Sequence, residues 1–373
     1  MFHTIITLAY IIPNIYVFIR IGQLFINKGY RYYYALIYIV LALVYPLSNL
    51  INDSDKGFPA LILTKAGEYI LPFYLYLFLL VLAFDILLLA NLLFRFLPSG
   101  IMKSLRFKTT TLTVILTLSV LVVVSGIVNF NTIRRSEYRI EIPGKSAKIG
   151  NLRIAYAADF HLKEETNIHF VERFVKKVRD IDPDILLFGG DIVEGDREDE
   201  DMNMIENLLK GIRTKYGVYS VLGNHEYYAG QDKGSFFYKA GIGVLSDTIV
   251  VIDRSFNLAG RYDSHFRRRA NVSELLKSAI DSLPVILIDH RPTEIDQVSK
   301  SHADVQLSGH THNGQLFPIN LITKRVYELS WGYLKKGNTH FFVTSGIRLW
   351  GPPVRTTGKS EIMVIDITFT GNK

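Results

Sequence analysis

Four apolar stretches fill most of the first 130 residues, and nothing else in the chain narrows its fold as much. In hydrocarbon every backbone N–H and C=O has to be paired within the protein, so a lone segment crosses a bilayer only as a helix. Roughly Thr4–Ile26, Tyr33–Ile51, Tyr69–Leu97 and Thr109–Phe130 each approach or exceed the about 20 residues that a crossing takes. Pro13, Pro46 and Pro72 fall near ends or bends, which membrane helices tolerate. Tyr30, Tyr32, Tyr33, Tyr34, Tyr69 and Tyr74 lie where interfacial aromatic belts are expected. The first stretch has no basic residue ahead of it and no small-residue cleavage site after it, which reads as a retained anchor rather than a removable signal peptide. Asp85, mid-helix in the third stretch, is costly in a membrane, and a pairing with Arg20 inside the bundle is the simplest account of it.

The net charge of +7 is unevenly shared: residues 1–150 carry 14 Lys and Arg against 6 Asp and Glu, leaving 28 against 29 for the remainder. The basic excess thus belongs to loops that flank the membrane and meet anionic headgroups. The near-neutral second part lacks the basic face of a general nucleic-acid binder, so no specific nucleic-acid binding is expected. Cysteine is absent, which excludes disulfides, thiolate metal ligands and cysteine nucleophiles. Lys28 and Arg31 lie in the first loop, and Arg95, Lys103, Arg106 and Lys108 in the third; cytoplasmic loops are the basic ones, so both termini are expected on the outer face. Lys56 and Lys65 in the second loop, and Arg134, Arg135 and Arg139 after the last stretch, pull the other way.

Beyond the stretch Ser136–Gly150, expected as a linker, short β-rich runs alternate with helical patterns. Leu152–Ala158 ends at Asp159-Phe160-His161, Ile185–Phe188 at Gly189-Gly190-Asp191, and Val218–Leu222 at Gly223-Asn224-His225-Glu226. Val285–Ile288 leads into Asp289-His290, and Ala303–Leu307 into Ser308-Gly309-His310-Thr311-His312. Between the first two runs, His169–Arg179 sets Phe170, Phe174 and Val178 on one helical face. Five strand ends thus deliver polar motifs, and strand ends are where α/β sheets place their sites. Gly243–Leu245, Thr248–Asp253, Phe256–Ala259, Phe341–Thr344 and Glu361–Ile367 supply strands for a second sheet.

The residue types suit phosphoester hydrolysis, which needs a strong nucleophile at neutral pH and neutralisation of the phosphoryl charge. Two metal ions about 3.5–4 Å apart provide both, holding a hydroxide between them and clamping the phosphate for in-line attack. Carboxylates, imidazoles and an amide oxygen make an N/O site that suits two divalent ions of Mn, Fe or Zn, with no choice among them. In order and spacing the motifs resemble the calcineurin-like metallophosphoesterase superfamily, whose pattern is Asp-x-His, Gly-Asp, Gly-Asn-His-(Asp/Glu), His and Gly-His-x-His. With Gly309–Gln315 and Gly351-Pro352-Pro353-Val354-Arg355, the likeness is to its membrane-attached bacterial subgroup, over residues 150–370.

The resemblance implies one metal on Asp159, His161 and His312, and the other on Asn224, His290 and His310, with Asp191 bridging. His225, beside a ligand, would sit over the phosphate and stabilise its charge or protonate the leaving oxygen, a role that fits an imidazole titrating near neutrality. Arg348 and Arg355, in a late loop that the family brings near its site, are implied as substrate contacts. Asn313 replaces a common glycine, and Asp289 precedes His290 where a small residue is usual; Asp289 is a candidate for orienting the ligand. His3, His169, His265, His302 and His340 read as surface or packing residues, Glu198–Asp201 as a solvated loop, and Arg267-Arg268-Arg269 as a solvated or phosphate-facing run.

The expected architecture is therefore α/β: a two-sheet metallophosphoesterase sandwich flanked by helices over residues 151–373, preceded by an all-α bundle of four transmembrane helices over 1–133 and a linker over 134–150. The expected protein is a bacterial inner-membrane hydrolase with an extracytoplasmic catalytic part. Its partners are membrane lipids and a phosphate-containing, lipid-linked substrate. Some members of the superfamily cleave the pyrophosphate of UDP-2,3-diacylglucosamine in lipid A synthesis, which would need a cytoplasmic site. A tethered phosphodiesterase for soluble nucleotides and a non-catalytic scaffold are the remaining alternatives, the last opposed by the full ligand set.

Overall fold

The computed structural model describes residues 2–51, 57–143, 145, 148–163, 166–194, 200–228 and 234–370. The chain divides into two compact units, one made of residues 1–128 with 351–356, the other of 129–350 with 357–373. The first unit is helical. It comprises α1 (Phe2–Leu24), α2 (Arg31–Ser48), α3 (Phe58–Phe94), α4 (Ser99–Lys103) and α5 (Leu105–Asn131), the last running on into the second unit. Among the described residues three helices are long and apolar enough to cross a membrane: Lys28–Ser48, Phe58–Phe94 and Leu105–Asn131. Pro13, Pro46 and Pro72 lie inside α1, α2 and α3. An aromatic core of Tyr10, Tyr38 and Tyr74 packs with Val17, Leu77 and Val81, and the Tyr10 and Tyr74 rings meet edge to face at 5.9 Å. As expected, Arg20 donates to both oxygens of Asp85, through Nε at 2.7 Å and an Nη at 2.6 Å, and Tyr16 donates to the same carboxylate.

The second unit holds two six-stranded sheets. The first has the order β1 (Ile133–Pro143), β12 (Ser360–Thr370), β2 (Asn151–Ala157), β3 (Ile185–Phe188), β4 (Val218–Ser220) and β5 (Gly243–Val244). The second runs β10 (Gly332–Lys336), β11 (Thr339–Val343), β9 (Val305–Ser308), β8 (Val285–Ile288), β7 (Phe256–Gly260) and β6 (Thr248–Ile252). The strands bearing the motifs run parallel to one another, β2, β3 and β4 in one sheet and β8 and β9 in the other, so their C-terminal ends share one edge of each sheet.

Alternation along the strands decides the layers, because successive side chains point to opposite faces. Ile154 and Tyr156 face the second sheet with Leu258, Ile286, Ile288, Leu307 and Phe342, whereas Ala155 and Ala157 face outward against helices. Those helices are α6 (Ile168–Ile181) and α7 (Glu200–Lys210), the former burying Phe170, Phe174 and Val178 and capped by the Asn167 side chain, which accepts from the His169 N–H at 2.9 Å. The short α8 (Asn224–Tyr228) and α9 (Gly234–Lys239) follow β4. α10 (Val272–Leu275) and α11 (Ile295–Val298) cover the outer face of the second sheet with Ala259, Leu287 and Phe341. α12 (Ile319–Val326) lies beyond the last histidine motif. The result is a two-sheet sandwich flanked by helices.

Two expectations change. Residues 134–143 are not connector: they pair in parallel with β12 from Ile133↔Ser360 to Pro143↔Thr370, so the sandwich starts directly after α5. Of the run Glu198–Asp201, residues 198 and 199 lie outside the described residues, and Glu200 and Asp201 open α7, where acidic side chains favour the helix N-terminus.

Candidate metal centre

Each polar motif leaves its strand through an abrupt backbone turn. Asp159 (φ 58°), His161 (φ 47°), Asp191 (φ 52°), His310 (φ 69°) and His312 (φ 48°) are all left-handed, a conformation that costs a non-glycine residue energy and that collects at functional sites. Close approach of the loops demands glycine at 223, where a Cβ would lie 2.2 Å from Asp191 Oδ1, and at 309, where it would lie 2.6 Å from Asp159 Oδ2. Backbone amides then hold the carboxylates. The His310 N–H donates to Asp159 at 3.0 Å, and the His225 N–H to Asp191 Oδ1 at 2.9 Å.

Three groups of side chains have ligand atoms within 4.8 Å of one another: Asp159, His161 and His312; Asp191, His290 and His310; and His161, Asp191 and His225. His161 Nε2 lies 3.3 Å from His312 Nε2, and His290 Nε2 lies 3.1 Å from Asp191 Oδ2 and 3.3 Å from Asn224 Oδ1. All seven residues expected as ligands are therefore brought together. His290 Nδ1 donates to the Gly189 carbonyl at 2.7 Å, which fixes the tautomer and turns Nε2 toward the carboxylates.

Electrostatics favour a cation here. Burial pushes the Asp159 carboxyl up to about 6, against the pull of the His290 charge and with the push of Asp191. For Asp191 burial is outweighed by His290, His161 and His225, which hold it well below the carboxylate range. Burial disfavours charge on His290, yet Asp191 and Asp159 raise it to about 10. His310 is depressed to about 3 by burial and by the positive charges of His290 and Arg291, so it presents a neutral imidazole. Carboxylates 0% and 2% exposed, ringed by imidazoles and an amide oxygen, are a donor set that fits a hard-to-borderline divalent ion.

Two carboxylates given no role by the sequence complete the site. Glu194 accepts from His161 Nδ1 at 2.6 Å and His225 Nδ1 at 3.1 Å; those imidazoles, outweighing burial, hold it well below the usual range. It reaches them because Val193 bridges Leu162 in parallel beyond the ends of β2 and β3, a pairing with no local sequence signal. Glu226 accepts the backbone N–H groups of Asp191 (3.0 Å), Ile192 (2.5 Å), Val193 (3.0 Å) and Gly223 (2.8 Å), tying the second motif to the third. Its place in Gly-Asn-His-(Asp/Glu) is the signal for it. His225 is half-buried, with Nε2 4.0 Å from Asp191 Oδ2; burial works to lower its pKa, but Glu194 and Asp191 raise it above the ordinary histidine value.

Other expected residues lie elsewhere. The Arg348 N–H donates to the Asp159 carbonyl at 3.0 Å, but its guanidinium stands over the rings of Phe130 and Phe170, 5.1 and 4.8 Å from their centroids. Arg355 is buried in the helical unit, its N–H donating to the Gly126 carbonyl at 3.0 Å. Asp289 does not orient His290: it accepts from Arg261 at 3.0 Å and Arg269 at 2.5 Å, which also takes Arg269 out of the solvated run. His265 is no isolated surface histidine. Arg291 donates to Asp263 at 2.8 Å and lies 2.8 Å from His265 Nδ1, while Tyr228 bonds His265 Nε2 at 2.8 Å.

A sandwich with carboxylates and imidazoles converging from parallel strand ends defines a candidate metal centre. The family profile of calcineurin-like phosphoesterases matches residues 152–314. A metallophosphoesterase from Helicobacter pylori is 34% identical over 57% of this chain and 58% of its own, so the chain spans somewhat over half the length of that relative. One from Aquifex aeolicus is 31% identical over 64% of this chain and 94% of its own, and a zebrafish (Danio rerio) transmembrane protein with a metallophosphoesterase domain is 27% identical over 69% and 62%. The chain belongs to the calcineurin-like metallophosphoesterases. Its described residues include three side-chain groups able to hold a metal ion and three helices of membrane-crossing length.

Proposed function

We propose that this protein is an integral membrane phosphoesterase that holds two divalent ions, one on Asp159, His161 and His312, the other on Asn224, His290 and His310, with Asp191 between them. The observation that carries this reading is the division of the cluster: two of its three ligand groups share no residue, and Asp191 recurs in two of them. Divalent ions in such a site supply a water-derived nucleophile at neutral pH and neutralise charge on phosphoryl oxygens. The protein's own groups do the rest. Glu194 orients His161 and His225 together, and its carboxylate against His225 Nδ1 favours the protonated imidazole. As water adds its oxygen to phosphorus, giving up one proton to solvent, and the P–O bond to the leaving group breaks, His225 Nε2 gives its proton to the departing oxygen.

The proposed substrate is a lipid or lipid-linked phosphoester or pyrophosphate. Helices of crossing length exceed what a simple anchor needs, which supports a membrane-resident substrate. α1 is proposed as the fourth span, the inner membrane of a bacterium as the location and the outer face as the side of the catalytic unit. Purified protein with added manganese should hydrolyse bis-p-nitrophenyl phosphate, and Asp191→Ala should lose nearly all turnover. Equal turnover in both would overturn the assignment, and a preference for nucleotides over lipid phosphates would remove the lipid reading.

A further inference from the structure

α12 is amphipathic in the wrong sense for a helix packed on a core. A surface helix normally turns its apolar stripe inward. Here Asn320 and Thr323 face the protein, close against Gly314, where a Cβ would meet Asn320 Cα at 2.6 Å and Thr323 Oγ1 at 2.7 Å. Ile319, Leu321, Ile322 and Val326 point outward, Ile322 and Val326 being 65% and 68% exposed, and Phe317 just ahead of the helix is exposed as well. No residue of the helix is buried. Lys324 and Arg325 stand on the same exposed turn and form no ion pair among the described residues, whereas the nearby Glu328 is engaged by Lys336 at 2.7 Å. An apolar face edged by unpaired cations is the pattern of a helix lying in a bilayer interface beside anionic headgroups.

We propose that α12 is an interfacial helix of the catalytic unit, seated on the anionic membrane surface with Ile319, Ile322 and Val326 in the acyl boundary and Lys324 and Arg325 among the headgroups. A bilayer is the occupant because Lys324 and Arg325 edge the apolar face and the same chain carries helices of crossing length. The helix is joined to the metal centre at both ends. Gly314 belongs to the loop of His310 and His312, and the Tyr327 ring lies 6.2 Å from that of His310. Seating α12 therefore holds one wall of the centre at the membrane surface. The inference stands on this helix and does not require that the substrate be a lipid.

The natural absence of cysteine makes the test direct. Full-length protein carrying Ile322→Cys or Val326→Cys, and Lys176→Cys on the exposed face of α6 as a control, is labelled with an environment-sensitive fluorophore and reconstituted in phosphatidylglycerol vesicles with or without lipid-borne quencher. The α12 probes should shift to the blue and lose most of their emission to the quencher, while the Lys176 probe should do neither; retained aryl phosphate turnover certifies that each variant is folded. Water-like emission at both α12 sites would overturn the proposal. So would a blue shift without lipid quenching, which would mean that a second copy of the protein covers the face.

Discussion

Asp191 and Glu194 show how few residues organise the chemistry. Asp191 lies within reach of His290, and its other oxygen accepts the His225 N–H, so one carboxylate links both halves of the cluster. Glu194, three residues on, is the shared partner of His161 and His225. Its charge is a main reason that His225 binds a proton more tightly than an ordinary histidine, in spite of burial. A general acid of that kind is active below its pKa and fails as pH rises through it. Glu194→Gln removes the charge and lowers that pKa, so the alkaline limb of kcat/KM against pH should move to lower pH and kcat should fall. An alkaline limb that stays where it is in the variant would separate His225 from the acid role.

At the scale of elements, the motif-bearing strands were legible because each is a short β-prone run closed by glycine or by a charged residue. β2, β3, β8 and β9 lie within two residues of their expected ends, as does α6 with its Phe170, Phe174 and Val178 stripe. β1 was not legible, since Arg134, Arg135, Glu137 and Arg139 give it the look of a polar connector; its partner β12, more than 200 residues away, makes it a strand. α12 was missed because its apolar pattern faces outward. In the helical unit, Arg20 and Asp85 join α1 to α3 through a two-pronged pair whose members are each costly alone. Arg20→Leu should lower resistance to unfolding in detergent by roughly 1–2 kcal/mol, the scale of a polar interhelical contact in membranes. Adding Asp85→Leu should restore part of the loss; an additive double variant would show that the pair is not coupled.

For the whole molecule, the face of the membrane that the centre addresses decides which phosphoesters it meets. Lys28, Arg31, Lys103, Arg106 and Lys108 weigh toward an outward catalytic unit, and Arg134, Arg135 and Arg139 weigh against it. A paired reporter fused at Lys373, alkaline phosphatase or green fluorescent protein, should give phosphatase activity without fluorescence. The reverse pattern would place the centre in the cytoplasm and favour a substrate such as the lipid A pyrophosphate.

The sequence alone determined the membrane-type helices, the two-sheet class and, through the family pattern of its motifs, the candidate ligands, because hydrophobic length, strand alternation and motif order are properties of neighbouring residues. Only tertiary structure decided which carboxylates orient those ligands, where Arg348, Arg355 and Asp289 turn, and which way α12 faces. Those choices depend on groups brought within a few ångströms by strand pairings, and the local chain carries no record of that proximity.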